Sequence, residues 1–107
     1  MMVQFITQND ILIFRLPHGC LQGDNDLFRF IANQSDLPSE TSSIQFDFVQ
    51  IDYINSLGVA ELISIFRYLQ RKYHQDIEFN LINVSAEIQK LLKIVEMDQF
   101  FRIHPSL

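Results

Sequence analysis

The stretch that decides the fold runs from Ser43 to Tyr73. It opens as Ser43-Ile44-Gln45-Phe46-Asp47-Phe48-Val49, passes through Gln50-Ile51-Asp52-Tyr53-Ile54, and enters a long amphipathic run at Asn55-Ser56-Leu57-Gly58-Val59. Ile44, Phe46 and Phe48 alternate with polar residues, the period-2 pattern of a half-buried strand. From Val59 the period changes. Val59, Leu62, Phe66, Leu69 and Tyr73 recur at three- and four-residue steps, which places them on one face of a helix. Glu61, Arg67, Gln70 and Arg71 then fall on the solvent face. A strand running straight into such a helix is the first half of a βαβ unit.

Upstream, Met2–Thr7 and Ile11–Leu16 read as two strands joined by the turn Gln8-Asn9-Asp10. Pro17-His18-Gly19 interrupts, and Cys20-Leu21 is expected to continue the strand briefly. Gly23-Asp24-Asn25-Asp26 leads into a helix capped by Asp24 or Asn25, with Leu27, Phe28, Phe30 and Ile31 at helical spacing. Gln34 to Ser43 is polar, contains Pro38 and reads as a surface loop. Downstream, Ile77–Ile82 is a further strand. Ser85 caps a helix whose buried face holds Ile88, Leu91, Leu92 and Val95. Phe100–Ile103 forms a last short strand, closed by Pro105. The chain is thus expected to be a single α/β domain over residues 1–107, a mixed β-sheet covered by amphipathic helices in the order β-β-α-β-α-β-α-β.

Composition narrows the function. The 107 residues are 48% hydrophobic and 20% charged, with three Gly, three Pro and one Cys. That is enough for a packed core without disulfides or metal, and the lone Cys20 fits a reducing, cytoplasmic setting. No apolar run reaches the ~18 residues of a membrane span, and the N-terminus carries no signal-peptide pattern. The net charge of −5 sits in residues 1–56, while residues 57–107 are balanced. Arg67, Arg71 and Lys72 make the nearest approach to a basic stripe, and a solvated helix face accounts for them. Nucleic acid is not an expected partner.

Chemical sites are sparse. His18, His74 and His104 are isolated from one another and from Cys20, so no metal site or cofactor is expected. His74 suits the C-terminal end of the long helix as a favourable charge or a plain surface residue. His18-Gly19-Cys20 would put imidazole and thiol on one strand face if the strand continued. No orienting acid follows, and the chain is not expected to be an enzyme. Gly19, Gly23 and Gly58 match no nucleotide fingerprint. The informative position is Ser56, at the helix start. One reading makes it the N-cap, accepting from the Gly58 or Val59 amide. The other makes it a phosphorylation switch, since a helix N-terminus favours a phosphate and Gly58 leaves room for the backbone to approach it.

Asp47-Phe48-Val49-Gln50-Ile51-Asp52-Tyr53-Ile54-Asn55-Ser56-Leu57-Gly58-Val59 resembles the STAS-domain pattern: a strand with an acidic residue, a short apolar link, then Asp-Ser-Ser-Gly and a helix. Asp76–Ser85 resembles the family's next strand, Ser85–Phe101 its last helix and following phenylalanine, and Leu16-Pro17-His18-Gly19 the end of its second strand. The family includes the bacterial anti-sigma factor antagonists. The resemblance implies a non-catalytic cytosolic module that binds a kinase-type anti-sigma factor and is switched by phosphorylation at Ser56. It also implies a partner surface of Asn55, Ser56, Leu57, Gly58 and Glu61, with Gln22 and Asp24 from the neighbouring loop. Asn55 stands where the family has Asp, and Leu57 replaces its second serine. Gly19-Cys20-Leu21-Gln22 replaces a Gly-Glu-Leu-Asp segment. The alternative role is an accessory subunit on a transporter ATPase, with Ser56 as a cap or contact. The sequence leaves the oligomeric state open.

Overall fold

The computed structural model describes residues 3–73 and 76–106. Strand β1 (Gln4–Gln8) and β2 (Ile11–Arg15) form an antiparallel hairpin. Then come helix α1 (Asp26–Ala32), β3 (Ser43–Asp47), α2 (Ser56–Tyr73), β4 (Glu78–Val84), α3 (Ala86–Ile94), a 3-10 turn (Met97–Gln99) and β5 (Arg102–Pro105). The strands lie in sequence order, β1-β2-β3-β4-β5, and β2 to β5 are mutually parallel. Each parallel step moves one strand in the same direction, so right-handed crossovers stack all three helices on one face of the sheet. The expected order of elements holds.

Side-chain alternation does the rest. On the helix side one row across the sheet reads Phe5, Phe14, Phe46, Leu81, Ile103, and the next holds Leu12, Ile44 and Phe79. Phe14 and Phe46 stack at 5.4 Å, and Phe46, Phe66 and Phe79 each pack on the ring of Phe101. Among the described residues the opposite face carries no helix. Its central row is Ile6, Ile13, Gln45, Asn80, Arg102. Asn80, nearly enclosed there, donates to Ser43 Oγ at 3.1 Å, and its Oδ1 is 2.9 Å from His104 Nε2.

Ser85 caps α3 as expected, accepting from the Ile88 amide. Four expectations change. Cys20-Leu21 does not extend β2: the Cys20 amide turns back to the Pro17 carbonyl and Leu21 takes φ 65°. β3 stops at Asp47, whose carboxylate accepts from the Val49 amide and bends the chain away. β5 starts only at Arg102, because Phe100 and Phe101 close the preceding 3-10 turn onto Met97. Val95 ends α3 as an exposed C-cap instead of joining its buried face. Met2 and His74 lie outside the described residues.

Candidate functional site

The site is assembled where β3 hands over to α2. Asp47 Oδ1 accepts from the Val49 amide at 3.0 Å and from the Asn83 side chain at 2.9 Å, fixing the end of β3 against β4. The link then carries Ile51 and Ile54 into the core and leaves Asp52 and Tyr53 outside. Asp52 meets His18 at 3.3 Å, tying this link to the end of β2.

At the helix start the cap is Asn55, not Ser56. Asn55 Oδ1 accepts from the Gly58 amide at 2.9 Å, and its backbone carbonyl accepts from Val59. Its Nδ2 donates to the Gln22 carbonyl at 3.0 Å. One amide therefore closes the first turn of α2 and holds the loop after β2 against it. Ser56 falls at the first helical position, exposed, and its hydroxyl makes no hydrogen bond among the described residues. Asn ranks with the best N-cap residues, so its place directly before the helical run was the signal for this role.

The loop Cys20–Asn25 is folded tightly over that first turn. Gly58 is buried, and a Cβ there would lie 1.8 Å from the Leu21 carbonyl oxygen. The glycine thus serves a backbone-to-backbone approach, not the approach of a phosphate. Gly23 packs over Leu57 in the same way: a Cβ on it would sit 3.0 Å from Leu57 Cδ1. Leu57 is nonetheless 61% exposed. Asp24 Oδ1 accepts from the Asp26 amide, and Arg29 is taken up by the Asp24 carbonyl and the Asp26 carboxylate. Asn55, Ser56, Leu57, Gln22 and Asp24 are thus drawn to one end of the domain.

Glu61 departs from expectation. It is 1% exposed, in the buried stripe Gly58, Glu61, Leu62, Ile65, Leu69, while Val59, Phe66 and Tyr73 are only half-buried. The inner face of α2 carries this acid against the start of α1. Glu61 Oε2 accepts from the Phe28 amide at 3.0 Å, in the first turn of α1, whose own N-cap residue Asn25 supplies no side-chain bond. Glu61 is a cap lent by a neighbouring helix, enclosed where the resemblance implies a partner surface. Its Oε1 has no hydrogen-bond partner. Burial pushes its carboxyl above the usual carboxylate range, with Asp24 and Asp26 adding to the rise. The spacing of Gly58, Leu62, Ile65 and Leu69 was the signal that placed it inside.

Cys20 is fully buried, and burial with the nearby Glu61 and Asp24 charges pushes its thiol up to about 12. Both effects hold the thiol in its protonated form, which disfavours a thiolate nucleophile there. Among the described residues no group of three or more His, Cys, Asp or Glu could hold a metal ion, and no helix is long and apolar enough to cross a membrane.

Residues 3–107 match the STAS domain. The chain belongs to the STAS domain family. STAS domains are non-catalytic regulatory modules. This STAS domain is similar in fold to a Thermotoga maritima protein solved by NMR, with TM-score 0.73, 17% identity, and coverage of 99% of this chain and 82% of that one. An anti-sigma factor antagonist from Mycobacterium paratuberculosis gives TM-score 0.73 at 11% identity, covering 99% and 86%. A murine solute carrier 26 family anion transporter matches with TM-score 0.71 at 14% identity, over 92% of this chain and 16% of that one. No curated protein sequence shows a significant match.

Proposed function

We propose that this STAS domain is a phospho-regulated protein-binding module of the anti-sigma factor antagonist kind, cytosolic, docking on a kinase-type anti-sigma factor and switched at Ser56. The observation that supports this most is the division of labour at the helix start. Asn55 does the capping, which leaves the Ser56 hydroxyl exposed and uncommitted at the positive end of an 18-residue helix. Around it lie exposed Leu57 and the surface of the Gln22–Asp24 loop. On the charge setting we read it as an off-switch. Arg29 is already engaged by the Asp24 carbonyl and the Asp26 carboxylate, and residues 1–56 carry the chain's whole net charge of −5. A phosphate there adds about −1.5 to −2 charge without a waiting cation and opposes docking. Incubation with a kinase-type anti-sigma factor and ATP is expected to place one phosphate on Ser56, read by phosphopeptide mapping. Ser56→Ala is expected to keep binding, and Ser56→Asp to lose it. Wild-type binding by both variants, with no phosphate on Ser56, would sink the reading.

A second reading is an accessory STAS subunit on a transporter ATPase, with Ser56 as a cap or contact; the same fold recurs as a module within an anion transporter. In that case purified complexes contain the ATPase, and Ser56→Ala and Ser56→Asp bind alike.

A further inference from the structure

We infer that the free edge of β1 is a self-association surface, at which two copies of this chain pair antiparallel about a two-fold axis through Ile6. The two outer strands of the sheet are built differently. β5 is guarded: it has four residues, an irregular register against β4, the charged Arg102–Glu78 pair at its start and Pro105 at its end. Those are the devices that keep a sheet edge from accepting another strand. β1 has none of them. Gln4-Phe5-Ile6-Thr7-Gln8 is regularly paired to β2 throughout, carries no charge and no proline, and leaves Ile6 40% exposed.

The strand is also self-complementary. Antiparallel pairing centred on Ile6 sets Ile6 against Ile6 of the second copy, Gln4 against Gln8 and Phe5 against Thr7. Faces match as well: Phe5 and Thr7 both belong to the helix-covered side, while Gln4, Ile6 and Gln8 belong to the open one. The result is one continuous ten-stranded sheet with isologous contacts.

Charge selects a second copy as the occupant. A chain of net charge −5 repels itself over most contacts, yet this edge is neutral. The hairpin carries exposed Arg15 beside Gln4, and Asp10 just beyond Gln8. The two-fold axis therefore brings Arg15 of each copy to the end that holds Asp10 of the other, and keeps like charges apart. An open groove of about 370 Å³ runs beside the edge, formed by Val3, Phe30, Asn33 and the mutually neutralised Asp26 and Arg29. It adds contact area of mixed character, without net charge. A five-residue ladder with this border is smaller than the ~1,600 Å² of a standard stable interface, so the dimer is reversible.

The test is light scattering of the whole chain from about 10 μM to about 1 mM. The weight-average mass is expected to rise from 12.6 kDa toward twice that value, and Ile6→Lys is expected to raise the dissociation constant tenfold or more with an unchanged circular dichroism spectrum. Register is read separately by oxidation. Ile6→Cys is expected to form an intermolecular disulfide readily, because facing Cα atoms fall within the 4.4–6.8 Å that a disulfide spans, roughly. Gln8→Cys faces Gln4 of the other copy and is expected not to cross-link to itself. A monomer throughout the concentration range overturns the proposal, leaving the edge to a strand from another protein. So does a dimer indifferent to Ile6→Lys, or one in which Gln8→Cys cross-links as well as Ile6→Cys.

Discussion

Asn55 and Gln22, 33 residues apart, are joined by a side-chain amide donating to a main-chain carbonyl at 3.0 Å, while the same amide's oxygen receives the Gly58 N–H at 2.9 Å. The bond separates asparagine from the aspartate of the family pattern at this position. A carboxylate can accept from Gly58 but has no proton to offer Gln22, and would face a carbonyl oxygen.

Asn55→Asp should therefore keep the cap and free the loop. Global stability is expected to change by less than about 1 kcal/mol, whereas amide exchange at Gln22, Gly23 and Asp24 should quicken. Asn55→Ala removes both bonds and is expected to cost ~1–2 kcal/mol. Denaturant titration together with hydrogen exchange separates the two effects.

Ser56→Ala should be nearly silent in stability, within about 0.5 kcal/mol, because Ser56 is exposed and is not the cap. A loss of 1 kcal/mol or more in chemical denaturation would return the capping role to its hydroxyl.

Gly58→Ala should be severe, although alanine is favoured over glycine by about 1 kcal/mol inside a helix. The added carbon would lie 1.8 Å from the Leu21 carbonyl oxygen and 2.6 Å from its carbon, and neither belongs to a flexible side chain. A loss of roughly 3 kcal/mol is expected, visible as a lowered melting temperature.

Glu61 should make stability fall as pH rises. Its carboxyl holds a proton more tightly in the fold than in the unfolded chain. Its contribution is therefore fully present below the ordinary carboxylate range and lost as pH climbs through its raised folded value. Glu61→Gln keeps an acceptor for the Phe28 amide and removes the titration. Urea midpoints of the wild type relative to Glu61→Gln should decline as pH rises above the ordinary carboxylate range, and parallel curves would refute this.

Much of the architecture was legible because hydrophobic periods are strong where helices cover one face of a sheet. Ile44 and Phe46, Leu62 and Leu69, and Ile88 and Leu92 all mark core positions by spacing alone. Ser85 was readable as a cap for the same reason: a capping residue sits directly before an apolar period. Leu21 was not readable, since its left-handed backbone is imposed by burial of its side chain and by the approach of Gly58, a contact 37 residues away. Glu61 looked like a solvent residue because polarity stood in for exposure. Its burial follows from an orphan amide on another helix, which no local pattern records. Asn55 and Ser56 were adjacent candidates for one cap, and only the loop that needed a donor decided between them.

The sequential order of the five strands bears on how the chain is made. The β1–β2 hairpin needs only its own residues, and each later βα segment adds its strand to an edge already synthesised. As the chain leaves the ribosome N-terminus first, the sheet can grow one strand at a time without waiting for a distant partner. The β1 side is the first edge in place, present throughout elongation while the other edge keeps moving outward.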